Sequence, residues 1–301
     1  MPVILLLIIA LAVGAAVTLA VWRYPSMALV PTRPTASMTE MVGHELARHR
    51  SLGVLVLRRL DPSVATGLAL TLALVTVTLG GLVLGVLAYL VRSSETLVSF
   101  DESVAEWGFD HASDASDNGL RGVTTLGETW FVILGALVLV AVDFVRSPTR
   151  WLPLYLAIVI LGQNVLTRTV KELADRVRPD LNPIAETLGP SFPSGHAATA
   201  ATFFAAAALV LGRGRRRPAR AALAGGAVAI AVGVAGSRVL LDVHWLSDVI
   251  AGIALGWAWF AVVSLAFGGR LLRFGAAVEK AGEVADADDA VAPTDGTVTT
   301  R

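Results

Sequence analysis

Seven long apolar runs, separated by more polar segments, constrain this chain more than any other feature of its sequence. They lie near residues 3–22, 65–91, 129–145, 151–168, 197–212, 221–240 and 249–267. Because a helix needs about 20 apolar residues to cross the hydrocarbon core of a bilayer, each run is long enough, or nearly so, to be a membrane span. A chain inside lipid must satisfy its own backbone hydrogen bonds, so we predict an all-α, polytopic membrane helical bundle.

The first run, PVILLLIIALAVGAAVTLAVW, can also be read as a cleaved signal peptide. It lacks the basic n-region of such peptides and is longer than their usual apolar region. We therefore predict an uncleaved transmembrane helix over residues 1–22. It would precede a basic cytoplasmic or interfacial segment at 23–63, a six-helix core at 64–268 and a cytoplasmic tail at 269–301, which we expect to be disordered because it is rich in Ala, Asp and Thr.

Composition supports a membrane protein and excludes several other classes. The chain is 55% hydrophobic and 16% charged, whereas a typical soluble domain has about 25% charged residues. The absence of cysteine excludes disulfides, thiol nucleophiles and thiolate metal sites. A formal net charge of +0 provides no general attraction for nucleic acid, so we expect the bilayer and a membrane substrate as partners. The sequence assigns no oligomeric state.

The placement of arginine predicts how the chain is oriented in the membrane. The arginine-rich stretches RSPTR (146–150) and RGRRRPAR (213–220) fall on the same side of a seven-span topology as the segment 23–63. Since cytoplasmic loops are enriched in Lys and Arg, this side should be the cytoplasm. The N-terminus and the loops at 92–128, 169–196 and 241–248 would then lie on the opposite, extracytoplasmic face.

A first polar cluster on that face is KELADRVRPD, which begins at Lys171. On a helix, Lys171 and Arg178 would point along the same face, two turns apart. Pro179 should end the helix, because the residue before a proline is disfavoured in the α conformation. Two cations held on one face suit an anion with several oxygens, such as phosphate. The alternative is an ordinary basic flank at the membrane interface.

A second cluster, FPSGHAATA, stands at the start of the fifth apolar run. Its turn and cap residues predict a helix N-terminus, where free backbone N–H groups and the helix dipole attract anions. The Ser194 hydroxyl can add a donor, Gly195 lets a ligand approach the backbone, and His196 lies in the first turn. The alternative is a capped helix start with an incidental histidine.

The third cluster is SRVLLDVHWLSD, from residue 237 to residue 248. His244 and Asp248 are four residues apart and would be neighbours on one helical face. The carboxylate can then accept a proton from one ring nitrogen and leave the lone pair of the other free to attack. Arg238 provides a third cation. The alternative is a surface His–Asp pair beside an arginine that extends towards the interface.

Together these residues suit metal-free phosphoryl transfer through a histidine. We expect His244 to attack phosphorus and form a covalent phosphohistidine, while Asp248 orients the ring and stabilises its charge. His196 would protonate the leaving oxygen and then deprotonate the water that breaks the intermediate. The phosphoryl oxygens would be held by Lys171, Arg178, Ser194, Gly195 and Arg238. No pattern such as H-E-x-x-H marks a metal site, so we predict neither a metal nor another cofactor.

The three clusters resemble, in order, the three signatures of the type 2 phosphatidic acid phosphatase superfamily. They are K-x6-RP at 171–179, PSGH at 193–196 and SR-x5-H-x3-D at 237–248. The resemblance covers residues 65–267, so the first helix is an addition to a six-helix phosphatase core. It implies the histidine mechanism described above, lipid phosphate or diphosphate substrates and independence of magnesium.

The superfamily that the motifs resemble also includes soluble vanadium-dependent haloperoxidases. The predicted membrane spans argue against that activity for this chain. A histidine acid phosphatase acting on soluble esters is less favoured than an enzyme whose substrate is anchored beside it. We therefore expect a phosphatase of the bacterial plasma membrane with an extracytoplasmic site and a cytoplasmic C-terminus. Undecaprenyl diphosphate is the favoured substrate, followed by phosphatidylglycerophosphate and phosphatidic acid. The alternative is a protein that binds or transports lipid phosphates without hydrolysing them.

Overall fold

The structure, a computed structural model, describes residues 2–23, 62–146, 148–179 and 189–271, with side chains omitted at 62–76 and 268–271. The helices in these ranges are α1 (Pro2–Arg23), α2 (Pro62–Ser93), α3 (Glu95–Asp110), α4 (Asp114–Thr125), α5 (Thr129–Arg146), α6 (Leu152–Ala174), α7 (Gly195–Gly212), α8 (Arg217–Leu240) and α9 (Leu246–Leu271). The described residues contain no strand. The prediction of an all-α membrane bundle is therefore confirmed.

Each predicted apolar run lies in its own helix. Within the described residues, six helices are long and apolar enough to cross a membrane, namely α1, α5, α6, α7, α8 and the Leu246–Phe267 part of α9. The remaining run lies in α2, whose segment Val77–Ser93 continues through an 87° bend into α3, and this pair forms a seventh, broken candidate span. Nearly all of the predicted segments 23–63 and 269–301 lies outside the described residues.

The helix α7 occupies the centre of the bundle and packs against α5, α6, α8 and α9. Its sequence is dominated by alanine, and small side chains let neighbouring helix backbones approach closely. It lies very close to α9, where a Cβ atom on Gly252 would lie 2.5 Å from the carbonyl oxygen of Ser194. One turn later, Thr202 Oγ1 donates to the carbonyl oxygen of Gly256 at 3.0 Å. These contacts hold the first turns of α7 and α9 side by side.

The N-terminal helix α1 packs against α8 and α4. Its first turns contribute Val3 and Leu6 to an apolar cluster with Leu120, Leu241 and Val243. The added helix therefore supports the turn that connects α8 to α9.

An ion pair between a buried carboxylate and a half-buried guanidinium joins α5 and α7 at the end of the bundle opposite to that turn. Asp143 accepts from Arg213, which is the residue that ends α7, and Asp143 Oδ2 also accepts from the backbone N–H of Thr149 at 2.9 Å. Arg213 Nη1 in turn donates to Thr149 Oγ1 at 3.0 Å. This cluster ties two helix ends together at the face that the arginine pattern predicts to be cytoplasmic.

Candidate active site

The three polar clusters meet at one end of the bundle, although they are far apart in the sequence. The end of α6 brings the first, the start of α7 the second, and the turn between α8 and α9 the third. Electrostatic interactions reach the His196 ring from residues of both other clusters, namely Lys171, Arg178, Arg238 and His244. The structure therefore collects the predicted site residues around one position.

His244 lies in the turn between α8 and α9 and is almost fully buried, with 2% of its surface exposed. The turn folds back on the end of α8, because the backbone N–H groups of Val243 and His244 both donate to the carbonyl oxygen of Arg238 at 3.2 Å. Asp242 has a left-handed φ of 56°, which reverses the chain at this point. The ring of His244 is thereby directed into the bundle end and away from solvent.

The contacts of the His244 ring indicate its tautomer. Arg178 Nη1 lies 3.4 Å from Nε2, and a guanidinium can only donate, so Nε2 must carry the lone pair. The proton then resides on Nδ1, which faces Asp248 Oδ2 at 3.5 Å. That distance is long for a hydrogen bond, and Nδ1 has no other partner among the described residues. Catalytic hydrogen bonds are often long before a ligand binds.

Burial controls the charge of the same ring. Desolvation lowers the pKa of His244 to about 4 and outweighs the opposing effect of the nearby Asp248 carboxylate. The ring is consequently neutral near pH 7. A neutral histidine with an unprotonated Nε2 is the form that can act as a nucleophile.

The helical geometry expected for the pair His244 and Asp248 is wrong in detail. The helix α9 begins at Leu246, so His244 precedes it rather than sharing one of its faces. Asp248 instead folds back over the first turn, where its Oδ2 accepts from the backbone N–H of Trp245 at 3.0 Å. The carboxylate reaches His244 because it caps the start of the helix.

The expected helical face for Lys171 and Arg178 is also wrong. The helix α6 ends at Ala174, and Asp175 has a left-handed φ of 45°. The two cations nevertheless converge, because both donate to the carbonyl oxygen of Pro190, Lys171 Nζ at 2.5 Å and Arg178 Nη2 at 3.3 Å. Tertiary contacts with the segment before α7 replace the predicted helical spacing.

The start of α7 places Ser194 as its N-cap residue and His196 in its first turn, as expected. Ser194 is fully buried, and its backbone N–H donates to the carbonyl oxygen of Asp248 at 3.0 Å. Its hydroxyl makes no capping hydrogen bond and has no partner among the described residues. The alternative of a simple side-chain cap therefore does not fit Ser194.

Arg238 stands at the end of α8, and its Nη1 donates to Thr124 Oγ1 at 3.3 Å. Its Nε is buried and, like Ser194 Oγ and His244 Nδ1, lacks a hydrogen-bond partner in the described part of the chain. Buried polar atoms are normally paired, so three unpaired atoms in one site call for an explanation. A bound anion with several oxygens would pair with the serine hydroxyl and the guanidinium.

Sequence reasoning missed two charged residues of the site, Arg176 and Asp101. Arg176 Nη1 donates to Asp248 Oδ1 at 2.7 Å, and its Nη2 donates to Asp101 Oδ2 at 2.9 Å. Arg176 lies inside the first cluster, but its spacing from Lys171 and Arg178 did not predict a role for it. Asp101 lies in an acidic stretch remote from every motif, and no spacing in the sequence marks it.

The described residues contain no group of three or more His, Cys, Asp or Glu side chains that could hold a metal ion. The donors around His244 are mainly cationic, a set that suits an anion better than a cation. Independence of a metal stays a prediction.

The sequence model of the PAP2 superfamily matches residues 151–271, which contain all three clusters. The chain is also 31% identical over 159 residues to phosphatidylglycerophosphatase B of Bacillus subtilis, a match that covers 52% of this chain and 76% of that protein. The chain belongs to the PAP2 superfamily. It is a PAP2 phosphatase, and the family suggested by the three motifs is thereby confirmed.

Two further comparisons agree with this PAP2 assignment. Decaprenylphosphoryl-5-phosphoribose phosphatase of Mycobacterium tuberculosis is 34% identical over 154 residues, covering 50% of this chain and 80% of that protein. The crystal structure of a transmembrane PAP2-type phosphatidylglycerolphosphate phosphatase from Bacillus subtilis superposes with a TM-score of 0.59 at 29% identity. It covers 65% of this chain and 98% of that chain.

Proposed function

We propose that this PAP2 phosphatase hydrolyses a phosphate group on a membrane lipid through a covalent phosphohistidine at His244, without a metal ion. One observation carries the proposal. The buried Ser194 Oγ and Arg238 Nε lack partners among the described residues and belong to the same site as the Nε2 lone pair of His244. A phosphoryl group there would meet a nucleophile and unpaired donors at once.

In the first step, His244 Nε2 attacks phosphorus in line, and the bond from phosphorus to the lipid oxygen breaks. The protonated His196 gives its proton to that leaving oxygen, so the lipid departs as an alcohol from a phosphomonoester, or as a lipid monophosphate from a diphosphate. Asp248 stabilises the positive charge that the His244 ring acquires. The equatorial oxygens are held by Lys171, Arg178, Ser194, Gly195 and Arg238.

In the second step, water attacks the phosphohistidine from the side that the lipid has left. His196, now neutral, accepts a proton from this water, and the phosphorus–nitrogen bond to His244 breaks. Inorganic phosphate leaves, and both histidines return to their starting protonation states.

Lipid phosphates are the substrate class that the surroundings of the site support. The site lies at the ends of helices that are long and apolar enough to cross a membrane. The name of the Bacillus relative points to phosphatidylglycerophosphate, and that of the Mycobacterium relative to a phosphorylated sugar on a polyprenyl carrier. Undecaprenyl diphosphate is the third candidate substrate, and the predicted extracytoplasmic site favours it.

The arginine pattern supports a multi-pass protein of the bacterial plasma membrane with its site on the extracytoplasmic face and its C-terminus in the cytoplasm. In this topology Arg213 and its partner Asp143 lie at the cytoplasmic face. The proposed domain division keeps α1 as an uncleaved helix in front of the six-helix core.

Phosphate release by the detergent-purified chain in excess chelator tests the mechanism. The lipids are undecaprenyl diphosphate, phosphatidylglycerophosphate and phosphatidic acid, with a soluble ester as reference and His244→Ala as the inactive variant. We expect chelator-resistant release from at least one lipid, faster than from the soluble ester, and none in the variant. Trapped enzyme should carry acid-labile phosphate on His244.

Three results would contradict the proposal. Release that the chelator abolishes would require a metal. Release that survives in His244→Ala would remove the nucleophile. Folded protein that binds the lipids but releases no phosphate would favour the binding or transport alternative.

A further inference from the structure

We propose that Arg176 and Asp101 are positioning residues that hold the Asp248 carboxylate in place and, through it, keep the His244 ring in its attacking tautomer. Arg176 occupies one of the unassigned positions of K-x6-RP and Asp101 lies outside all three motifs, and neither is expected to touch the phosphoryl group. The inference rests on the proposed function of His244 as nucleophile, and it concerns how that nucleophile is prepared.

Arg176 connects two carboxylates with one guanidinium. Its Nη1 donates to Asp248 Oδ1 at 2.7 Å and to Ser247 Oγ at 2.8 Å, and its Nη2 donates to Asp101 Oδ2 at 2.9 Å. The guanidinium also lies over the Trp245 ring, with 5.3 Å between Cζ and the ring centroid. A planar group held on these contacts has little freedom to turn.

Asp101 completes the other end of this connection. It comes from α3, is 1% exposed, and accepts from the backbone N–H of Ser247 through Oδ1 at 3.0 Å. Its Oδ2 accepts from Ser247 Oγ at 2.5 Å in addition to Arg176. Both oxygens are therefore engaged with the first turn of α9, the helix that carries Asp248.

The contacts of Asp248 explain what the network achieves. Its Oδ1 is bound by Arg176, while its Oδ2 accepts from the backbone N–H of Trp245 at 3.0 Å and faces His244 Nδ1 at 3.5 Å. With Oδ1 fixed by Arg176, the carboxylate cannot rotate away from the ring. Loss of the guanidinium would leave the carboxylate held, among the described residues, only by the backbone N–H of Trp245, and would weaken the preference for a proton on Nδ1 that the contact of Arg178 with Nε2 also supports.

The second carboxylate adjusts the charge of the network. A lone Arg176 would neutralise Asp248 and weaken its attraction for the positive ring that forms in the intermediate. Asp101 shares the guanidinium, so the two anions and one cation of this network carry a net negative charge among themselves. The network thus fixes the carboxylate without cancelling its field.

A purely structural role is the competing interpretation, in which the network only ties α3 to α9. The ion pair of Asp143 and Arg213 provides a matched control, because it also joins a buried carboxylate to a half-buried guanidinium but lies at the opposite end of the bundle. Asp143→Asn should lower thermal stability and leave kcat unchanged.

The experiment measures kcat and KM of the full-length, folded variants Asp101→Asn, Arg176→Gln and Arg176→Lys on the most rapidly hydrolysed lipid. We expect kcat to fall about 10- to 100-fold with little change in KM, the range typical of groups that orient an active-site ligand. Arg176→Lys should lose less kcat than Arg176→Gln, since lysine keeps the positive charge but lacks the planar guanidinium that binds both carboxylates. Unchanged kcat in folded Asp101→Asn and Arg176→Gln would overturn the proposal.

The pH profile separates positioning from simple support. The charged or titratable groups around His244 are Asp248 of α9, Arg178 after α6, Arg238 of α8 and His196 of α7. Arg176→Gln unmasks the negative charge of Asp248 and should raise the pKa of His244, moving the acid limb of kcat/KM upward. Asp101→Asn removes a negative charge and should move the limb downward. A limb that stays in place in both variants would contradict the charge argument.

Nitrogen NMR of 15N-histidine-labelled protein tests the proposal without turnover. Subtraction of the His244→Ala spectrum assigns the ring, which in the wild type should carry its proton on Nδ1. Arg176→Gln should populate the Nε2–H tautomer, and an unchanged tautomer would overturn the proposal. Absence of phosphate release by the wild type would overturn the proposed function alone, because the tautomer is read independently.

Discussion

At the scale of single residues, Ser194 combines full burial with a hydroxyl that has no partner among the described residues. A buried polar atom without a partner costs stability, so the fold gains nothing from this hydroxyl. Its backbone N–H donates to the carbonyl oxygen of Asp248, and Gly195 follows it in the chain, so it lies within the proposed active site. The side chain is therefore better explained by a ligand than by the fold.

Ser194→Ala should separate these contributions. We expect kcat to fall about 10²- to 10³-fold, the usual effect of removing one donor to a developing oxyanion. The melting temperature should be unchanged or slightly higher, because the variant removes an unpaired polar atom. Phosphate release and thermal unfolding in the same detergent measure both quantities. A large loss of stability with normal kcat would contradict the assignment.

The burial of His244 predicts the acid side of the pH profile. The ring attacks in its neutral form, and burial lowers its pKa from 6.5 to about 4. As the pH falls through about 4, the free enzyme gains a proton on the nucleophile, so kcat/KM should decline there. Measurement of kcat/KM between pH 3 and pH 8 in a detergent with an uncharged head group would locate this limb. The logarithm of kcat/KM should change there with a slope of about one, because one proton is bound. A limb near 6.5 would indicate a solvent-exposed ring.

At the scale of elements, the close contact between α7 and α9 places the two helix starts that carry the second and third motifs. Gly252 makes this contact possible, because a Cβ atom there would lie 2.5 Å from Ser194 O and 3.1 Å from the Cβ of Ala197. The spacing of the helices and the geometry of the site therefore depend on the same residue.

Gly252→Ala should lower both stability and activity. We expect a loss of about 1–3 kcal/mol in the free energy of unfolding, as for other overpacked positions, together with reduced kcat because Ser194 moves. Gly85→Ala in α2 is the control, since a Cβ atom at Gly85 meets nothing within 4 Å. Equal behaviour of the two variants would show that the contact does not position the site.

The helix boundaries also show where sequence spacing did not predict the local geometry of the site. The sequence motifs paired Lys171 with Arg178 and His244 with Asp248, and the members of each pair lie close together in the structure. The helices expected to bring them together end or begin between the paired residues. Local periodicity could not predict this, because the turns are held by Pro190 O and by the cap at Trp245 N.

At the scale of the whole molecule, sidedness is accessible to a simple labelling experiment, because the chain contains no cysteine. Ala112 between α3 and α4 and Arg215 between α7 and α8 are both exposed. In intact spheroplasts, Ala112→Cys should react with an impermeant maleimide, whereas Arg215→Cys should react only after lysis. The reversed pattern would place the site in the cytoplasm. Phosphate release by both variants confirms that they are folded.

The sequence by itself determined the class of the protein and most of its site. Apolar runs of membrane length predict the helices, because a chain in lipid has few other ways to satisfy its backbone. Three short motifs predict the chemistry of His244, Asp248 and His196, because each of these residue types has a definite role in phosphoryl transfer.

The tertiary structure alone decided how these groups are aligned and what supports them. The ion pairs of Arg176 with Asp101 and Asp248 join parts of the chain that no short-range spacing relates. Burial of His244, the neutral charge that follows from it, and the tautomer indicated by Arg178 likewise arise only when three helix ends meet. Charge and desolvation act through space, so they become readable only once the packing is known.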